Sequence, residues 1–212
     1  MDIKDKIPRL KSFSIFKDLS DRELLSVSEF IHYKLLPPKT IFIFQDDQSD
    51  SIYFIIRGLT RAFRDTPQGQ EVNLSLLGEG ETIGEMGIIE ELPRSATVET
   101  IKETEVFILT KENFINLLKR HPEISINLLV LLSRRLRNFI RRVENIMSKK
   151  MEERTLESLK ILSQFFKEGE ILFSHEELAV IIGATRARVT EVLNNLREEG
   201  RIELHHRRIK LL

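Results

Sequence analysis

Ser174-His-Glu-Glu-Leu-Ala-Val-Ile-Ile-Gly-Ala-Thr-Arg-Ala-Arg-Val-Thr-Glu-Val-Leu-Asn-Asn-Leu196 is the stretch on which the reading of this chain turns. Ser174 and Glu177 stand at the spacing of a capping box, in which two side chains take the orphan N–H groups of a helix start. Leu178, Ile181 and Ile182 fall on one face of that helix, and Ala179 is small enough for a second helix to cross it. Gly183 supplies the left-handed residue that ends the first helix. Thr185 suits the N-cap of a second helix, whose buried face is Val189, Val192, Leu193 and Leu196. A small residue, a glycine four later, and apolar residues six and nine beyond the glycine make the helix-turn-helix pattern. The plainer alternative is an ordinary helix pair.

As a recognition helix, the second segment turns Arg186, Ala187, Arg188, Thr190, Glu191 and Asn194 outward. Residues near its N-terminus are expected in the major groove, where arginine can grip guanine with two hydrogen bonds. The candidate DNA-binding set is Ser174, Thr185, Arg186, Arg188, Thr190, Glu191, Asn194, His206 and Arg207. The last two belong to a hairpin over 201–211 that turns at His206-Arg207. It reads as a wing that offers His205, His206, Arg207 and Arg208 to phosphate. The histidine pair has no third ligand nearby, so no metal is expected there.

Working back, residues 111–148 have helical period. Leu129, Leu132, Leu136, Phe139, Val143 and Ile146 are spaced 3, 4, 3, 4 and 3 residues apart, as in a coiled-coil seam. The reading is a dimerisation helix over 123–148, the alternative a helix buried on its own domain. Arg134, Arg135, Arg137, Arg141, Arg142, Lys149 and Lys150 give this region a basic face, either solvated or turned to phosphate or a partner. Residues 149–154 read as a hinge, followed by an amphipathic helix near 152–167 and a break at Gly169.

Residues 1–35 read as helical, with Ser20 and Glu23 as a second capping box and Pro37-Pro38 as the stop. Over 39–110 the pattern becomes short alternating runs: 40–44, 51–58, 59–64, 71–77, 82–84, 95–100 and 104–110. Thr66-Pro67-Gln68-Gly69 supplies a turn. Such strands imply a sandwich or barrel. The fold class is α+β: a β-barrel or sandwich domain over 1–122, the dimer helix, the hinge, and a winged helix-turn-helix over 155–212.

With no cysteine in 212 residues, disulfides, zinc–thiolate sites and iron–sulfur clusters are excluded. The net charge is zero, so any attraction to nucleic acid must come from local placement of charge. No apolar run is long enough for a membrane span and no signal peptide is visible, so a cytoplasmic protein is expected. No nucleophile–base pair, metal-ligand cluster or Walker motif argues for an enzyme.

One segment remains: Gly84-Glu85-Met86-Gly87-Ile88-Ile89-Glu90-Glu91-Leu92-Pro93-Arg94-Ser95-Ala96-Thr97-Val98. A glycine opens a short helical turn whose N–H groups can take an anion, and an arginine returns beside small residues. Glu85 suits sugar hydroxyls. The alternative is a structural Glu85–Arg94 pair that closes a loop without ligand.

This segment resembles the phosphate-binding cassette of cyclic-nucleotide domains. The order of barrel, cassette, long helix, hinge and winged helix resembles the catabolite activator/FNR family over roughly residues 10–212. The resemblance implies a jelly-roll β-barrel sensor, with Glu85 at a ribose hydroxyl, Arg94 at the cyclic phosphate, and Gly84, Ser95 and Ala96 as the rest of the site. Two departures stand out. Phe139 and Ile140 fall where the family's Thr-Ser pair meets adenine, and neither can hydrogen-bond a base. The family recognition motif Arg-Glu-Thr-Val-x-Arg is here Arg186-Ala187-Arg188-Val189-Thr190-Glu191, which implies a different half-site. His32 and His121 read as isolated, so no haem is expected. The reading is therefore a homodimeric, sequence-specific transcription regulator on a pseudo-palindromic operator, touching RNA polymerase if it activates. Its sensor answers cAMP, cGMP or another small anion, or works without ligand. The alternative is a nucleotide-sensing interaction module that does not bind DNA, like a kinase regulatory subunit.

Overall fold

The computed structural model describes residues 3–65, 71–148, 150–205 and 208–212. They form two compact units, Met1–Arg64 with Leu74–Arg137 and Asp65–Asn73 with Asn138–Leu212.

The first unit opens with helix α1 (Ile3–Lys11), a 3-10 turn (Ser14–Phe16) and α2 (Asp21–Glu29). The Ser20–Glu23 capping box is present, with Ser20 N–H donating to Glu23 Oε2 at 2.8 Å. Eight strands carry the rest: β1 (His32–Leu36), β2 (Ile41–Ile43), β3 (Ser51–Arg57), β4 (Leu59–Asp65), β5 (Glu71–Gly78), β6 (Thr82–Ile83), β7 (Thr97–Thr100) and β8 (Thr104–Thr110). β1 corrects the sequence reading, which kept the chain helical to residue 35. The helix stops at Phe30, and residues 32–36 pair antiparallel with β8. That pairing, invisible locally, overrides a short segment's own propensity. The turn read at residues 66–69 lies outside the described residues.

The barrel is built as two stacked antiparallel sheets, ordered β1-β8-β3-β6 and β2-β7-β4-β5. Period-two alternation decides where each side chain goes. Ile55 and Val106 join Leu36, Ile43, Ala62, Ile83 and Val98 in a core drawn from both sheets. Their neighbours Ile52, Phe54, Ile56, Phe107 and Leu109 point the other way, into a second core with Leu10, Phe13, Phe16 and Leu24 from the N-terminal helices. β3 and β8 are thus apolar on both faces, and their sheet is sandwiched between its partner sheet and the helices.

After β8, Thr110 caps α4 (Lys111–Arg120), and α5 runs unbroken from Pro122 to Ser148. Proline at the first helical position needs no N–H donor, so it starts α5 rather than breaking one longer helix. Ile124 and Leu128 of α5 are buried in the helix-side core.

The second unit holds the C-terminal part of α5, then α6 (Met151–Ser163), α7 (His175–Ile182), α8 (Arg186–Glu198) and a hairpin of β9 (Ile202–His205) and β10 (Arg208–Leu211). Helix α6 begins at Met151, so most of the stretch 149–154 read as a hinge is helical, and a 3-10 turn (Lys167–Gly169) follows α6. Leu159, Leu162, Leu178, Val189, Leu193 and Leu196 are buried together with Ile202 and Ile209 of the hairpin. An isolated bridge, Ile171 to Ile209, ties the hairpin to the chain before α7.

Candidate functional site

The cassette lies in the first unit. Gly84 takes φ 88 and caps the five-residue helix α3 (Glu85–Ile89). A Cβ at Gly84 would lie 2.4 Å from Arg94 Nη1, so a side chain there would push the guanidinium out. Gly87 is as constrained: its Cβ would lie 2.1 Å from Ser49 Oγ.

Arg94 is 5% exposed. Its Nη1 donates to Gly84 O at 3.0 Å, and its Nη2 to Ser51 O at 2.7 Å, Ser51 Oγ at 3.2 Å and Asp50 Oδ1 at 3.2 Å. Three of these four acceptors are neutral, and the Asp50 carboxylate is exposed. A buried cation whose acceptors are mostly dipoles, with one exposed carboxylate that offsets its charge only in part, can still hold an anion. Ser95 is exposed, and Ala96 is half-buried against the core between the sheets.

The Glu85–Arg94 pair weighed from the sequence is not made. Glu85 is 2% exposed and accepts instead from Arg135 Nη1 at 2.6 Å. Arg135 Nη2 donates to Glu81 Oε2 at 2.8 Å and to Thr82 O. Burial works against the Arg135 charge, but Glu85 and Glu81 outweigh it and hold the guanidinium proton more tightly than usual. Arg135 was read as part of a basic face that was solvated or turned to phosphate or a partner. Here the cassette's own carboxylates claim it. The sequence reading did not include Asp50, Ser51 and Arg135, which meet the cassette from more than 30 positions away, or Glu81, which joins only through Arg135. A buried acid on α3 beside a helix rich in arginine was the one available hint. His121, read as isolated, is not: its Nδ1 lies 3.2 Å from Glu123 Oε1 and 3.6 Å from Glu23 Oε1.

The second unit carries the helix-turn-helix. Ser174 Oγ and N–H both donate to Glu177 Oε2 at 2.8 Å, so the capping box occupies that hydroxyl. Gly183 takes φ 72, and its N–H donates to Ala179 O, closing α7. Arg154 Nη2 covers Ile182 O at 3.1 Å. Thr185 Oγ1 accepts from Arg188 N at 3.3 Å and starts α8. Val189, Val192, Leu193 and Leu196 form the buried face of α8, and Arg186, Ala187, Arg188 and Glu191 are exposed.

The outward residues are not independent. Arg188 Nη1 donates to Glu191 Oε2 at 2.6 Å, so the acid that departs from the family motif orients its neighbour. Arg186 lies 3.7 Å from Glu176, both largely exposed, and such a contact leaves it free to turn toward a ligand. Thr190 Oγ1 lies 2.9 Å from His175 Nδ1. Burial, then the Arg186 charge, pushes the His175 pKa below its ordinary value, so the neutral ring is favoured. A groove lined in part by Ser174, His175, Glu176, Arg186, Asn194, Arg197 and His205 runs along α8. His206 and Arg207 lie outside the described residues.

The seam residues of α5 divide. Leu129, Leu136 and Phe139 are each about three-fifths exposed, and Val143 is also exposed. Leu132 is partly buried against the helix-side core of its own unit. The Ile146 side chain lies outside the described residues.

Known proteins show the same two parts. The profile of the cyclic nucleotide-binding domain matches residues 33–121, and that of the Crp-like helix-turn-helix domain residues 153–212. The chain is 32% identical over 197 residues to the cyclic AMP receptor protein of Thermus thermophilus, covering 92% of this chain and 90% of that one. It is 29% identical over 206 residues to the global nitrogen regulator of a Synechocystis strain, covering 89% and 91%. The c-di-GMP responsive global regulator CLP of Xanthomonas campestris superposes with a TM-score of 0.78 at 23% identity over 91% of this chain and 99% of that one, a likeness of fold.

Proposed function

This chain belongs to the Crp/Fnr family of transcription regulators, and from that premise we propose that it acts as a homodimer, placing two α8 helices in successive major grooves of a pseudo-palindromic operator under the control of a small anionic nucleotide. The observation that carries the DNA reading is the start of α8. A capped helix N-terminus presents Arg186 and Arg188 to solvent while its opposite face is buried.

Ligand control rests on Arg94 and Glu85. Arg94 offers a buried charge to a cyclic phosphate, and Glu85 offers a carboxylate to a ribose hydroxyl. That hydroxyl must share Glu85 with Arg135, so an occupant of the cassette changes how α5 is held at Arg135. Such a ligand biases one arrangement of α5 over another by its unequal affinity for the two. Dimerisation rests on Leu129, Leu136, Phe139 and Val143, large apolar side chains left exposed at coiled-coil spacing on α5. In the cytoplasm such a dimer would meet RNA polymerase wherever it activates.

Binding-site selection from a random duplex pool, with and without cAMP and cGMP, tests the whole reading. Two half-sites about one helical turn apart are expected, enriched more strongly with the effective nucleotide. A pool that stays random under every condition refutes DNA reading. Leu136→Glu should convert the dimer to a monomer in sedimentation, and an unchanged profile refutes the seam.

A further inference from the structure

Away from the cassette and α8, three ligand-type side chains from three helix ends meet at one point. Glu23 belongs to the first turn of α2, His121 ends α4, and Glu123 belongs to the first turn of α5. His121 Nδ1 lies 3.2 Å from Glu123 Oε1 and 3.6 Å from Glu23 Oε1, and one ligand atom from each residue lies within 4.8 Å of the others. A single Nδ1–H can serve only one of two carboxylates. Among the described residues no lysine or arginine pairs with Glu23 or Glu123, so the cluster holds excess negative charge.

The two separations from His121 Nδ1 suit a coordination sphere. Metal–ligand distances of about 2.0–2.2 Å in a tetrahedral site put ligand atoms roughly 3.3–3.6 Å apart. The two observed separations from Nδ1, 3.2 and 3.6 Å, lie at the two ends of that range. The ligands are also held in place beforehand. Glu23 Oε2 is fixed by Ser20 N–H at 2.8 Å and Ser20 Oγ at 2.6 Å, which leaves Oε1 turned to His121. The His121 backbone N–H donates to Leu117 O as the cap of α4. One imidazole and two carboxylates suit a first-row divalent ion, whereas Ca²⁺ and Mg²⁺ favour oxygen alone.

We propose that Glu23, His121 and Glu123 bind one divalent transition-metal ion of the zinc class, through Nδ1 of His121 and one oxygen of each carboxylate. Water completes the sphere. The ion ties the start of α5 to α2. Asn127, one turn further along α5, already donates to Asp18 Oδ2 at 2.9 Å and Ile15 O at 3.3 Å, and the metal adds a second link at the same end. The site is separate from the cassette and depends on neither nucleotide nor DNA.

The test uses the full chain after chelator treatment. Titration with Co²⁺ is expected to give one ion per chain with visible d–d absorption, displaced by Zn²⁺ and untouched by Mg²⁺. Zn²⁺ is expected to raise the melting temperature, since a ligand of the folded state alone stabilises it. Loss of even an outer-shell partner costs roughly 10–100-fold in metal affinity. Glu123→Gln and His121→Asn should therefore each weaken Co²⁺ binding at least as much. Glu123→Gln changes a half-exposed side chain without altering its shape, so it keeps the fold. The double variant His205→Asn/His206→Asn should bind as the parent does. Three results overturn the proposal: no d–d signal with the parent chain, unchanged affinity in Glu123→Gln and His121→Asn, or loss of binding in the wing variant.

Discussion

Arg94 and Arg186 carry the same charge in opposite surroundings. Arg94 is 5% exposed, and fixed carbonyls hold its guanidinium in a cage that admits no side chain at Gly84. The Arg186 side chain is 70% exposed and meets Glu176 only at 3.7 Å. The first arginine is part of the fold, so its direction is set before any ligand arrives. The second is an exposed group on a capped helix, and its charged contact with Glu176 is too weak to fix its direction. Preorganisation favours selectivity for a small anion. A long flexible side chain favours search along a charged polymer before a base is read.

The largest effect expected from this contrast is at Arg94. Arg94→Ala removes the guanidinium donor from one buried carbonyl, of Ser51, and one part-buried carbonyl, of Gly84, at about 1–3 kcal/mol each. Urea unfolding of the first unit should show a loss of about 3 kcal/mol, with nucleotide binding abolished. An unchanged midpoint would mean that Arg94 is not structural.

Arg135→Ala comes next. It strips the buried Glu85 of its cation, and the cost should be about 2 kcal/mol, below the 3–5 kcal/mol of a fully buried pair because solvent reaches Arg135. Combining it with Glu85→Gln should recover part of that loss. Additive losses would show that the two residues do not form one unit.

At the other site Arg186→Ala should leave the fold intact and weaken operator binding by about 1–3 kcal/mol. Relaxed preference at one base position would mark a base contact. A uniform loss across sequences, with a shallower salt dependence, would mark a phosphate contact.

The smallest effect expected is at His175. Its folded pKa lies below the ordinary 6.5, through burial and then Arg186. The stability this contributes is present above pH 6.5 and is lost as pH falls through the folded value. Unfolding of the second unit, followed from pH 8 to pH 5, should show that loss. His175→Gln should flatten the profile, and equal slopes for the two proteins would remove His175 as its source.

The two regions were also unequally legible. In 174–196 the constraints that set the helix ends are local: Ser174 with Glu177, Ala179 with Gly183, Thr185 with Arg188. Each pair spans three or four residues, the reach of a helix cap or turn, so the pattern and the structure coincide. The cassette was only half legible. Gly84 and Arg94 stand out by type and spacing, but Asp50, Ser51 and Arg135 reach Arg94 or Glu85 through sheet pairing and helix packing. The error at β1 has the same origin, because residues 32–36 become a strand only through their partners on β8.

The sequence alone determined the strand-rich stretch after residue 39, the helix-turn-helix with its caps, and the exclusion of cysteine chemistry. Periodicity, capping and composition are properties of neighbours along the chain. Tertiary structure alone decided which charges belong to which site: Arg135 to Glu85, Asp50 to Arg94, and His121 to Glu23 and Glu123. Charge pairing follows distance in space. In a stacked sandwich the residues nearest in space come from strands and helices far apart in the chain.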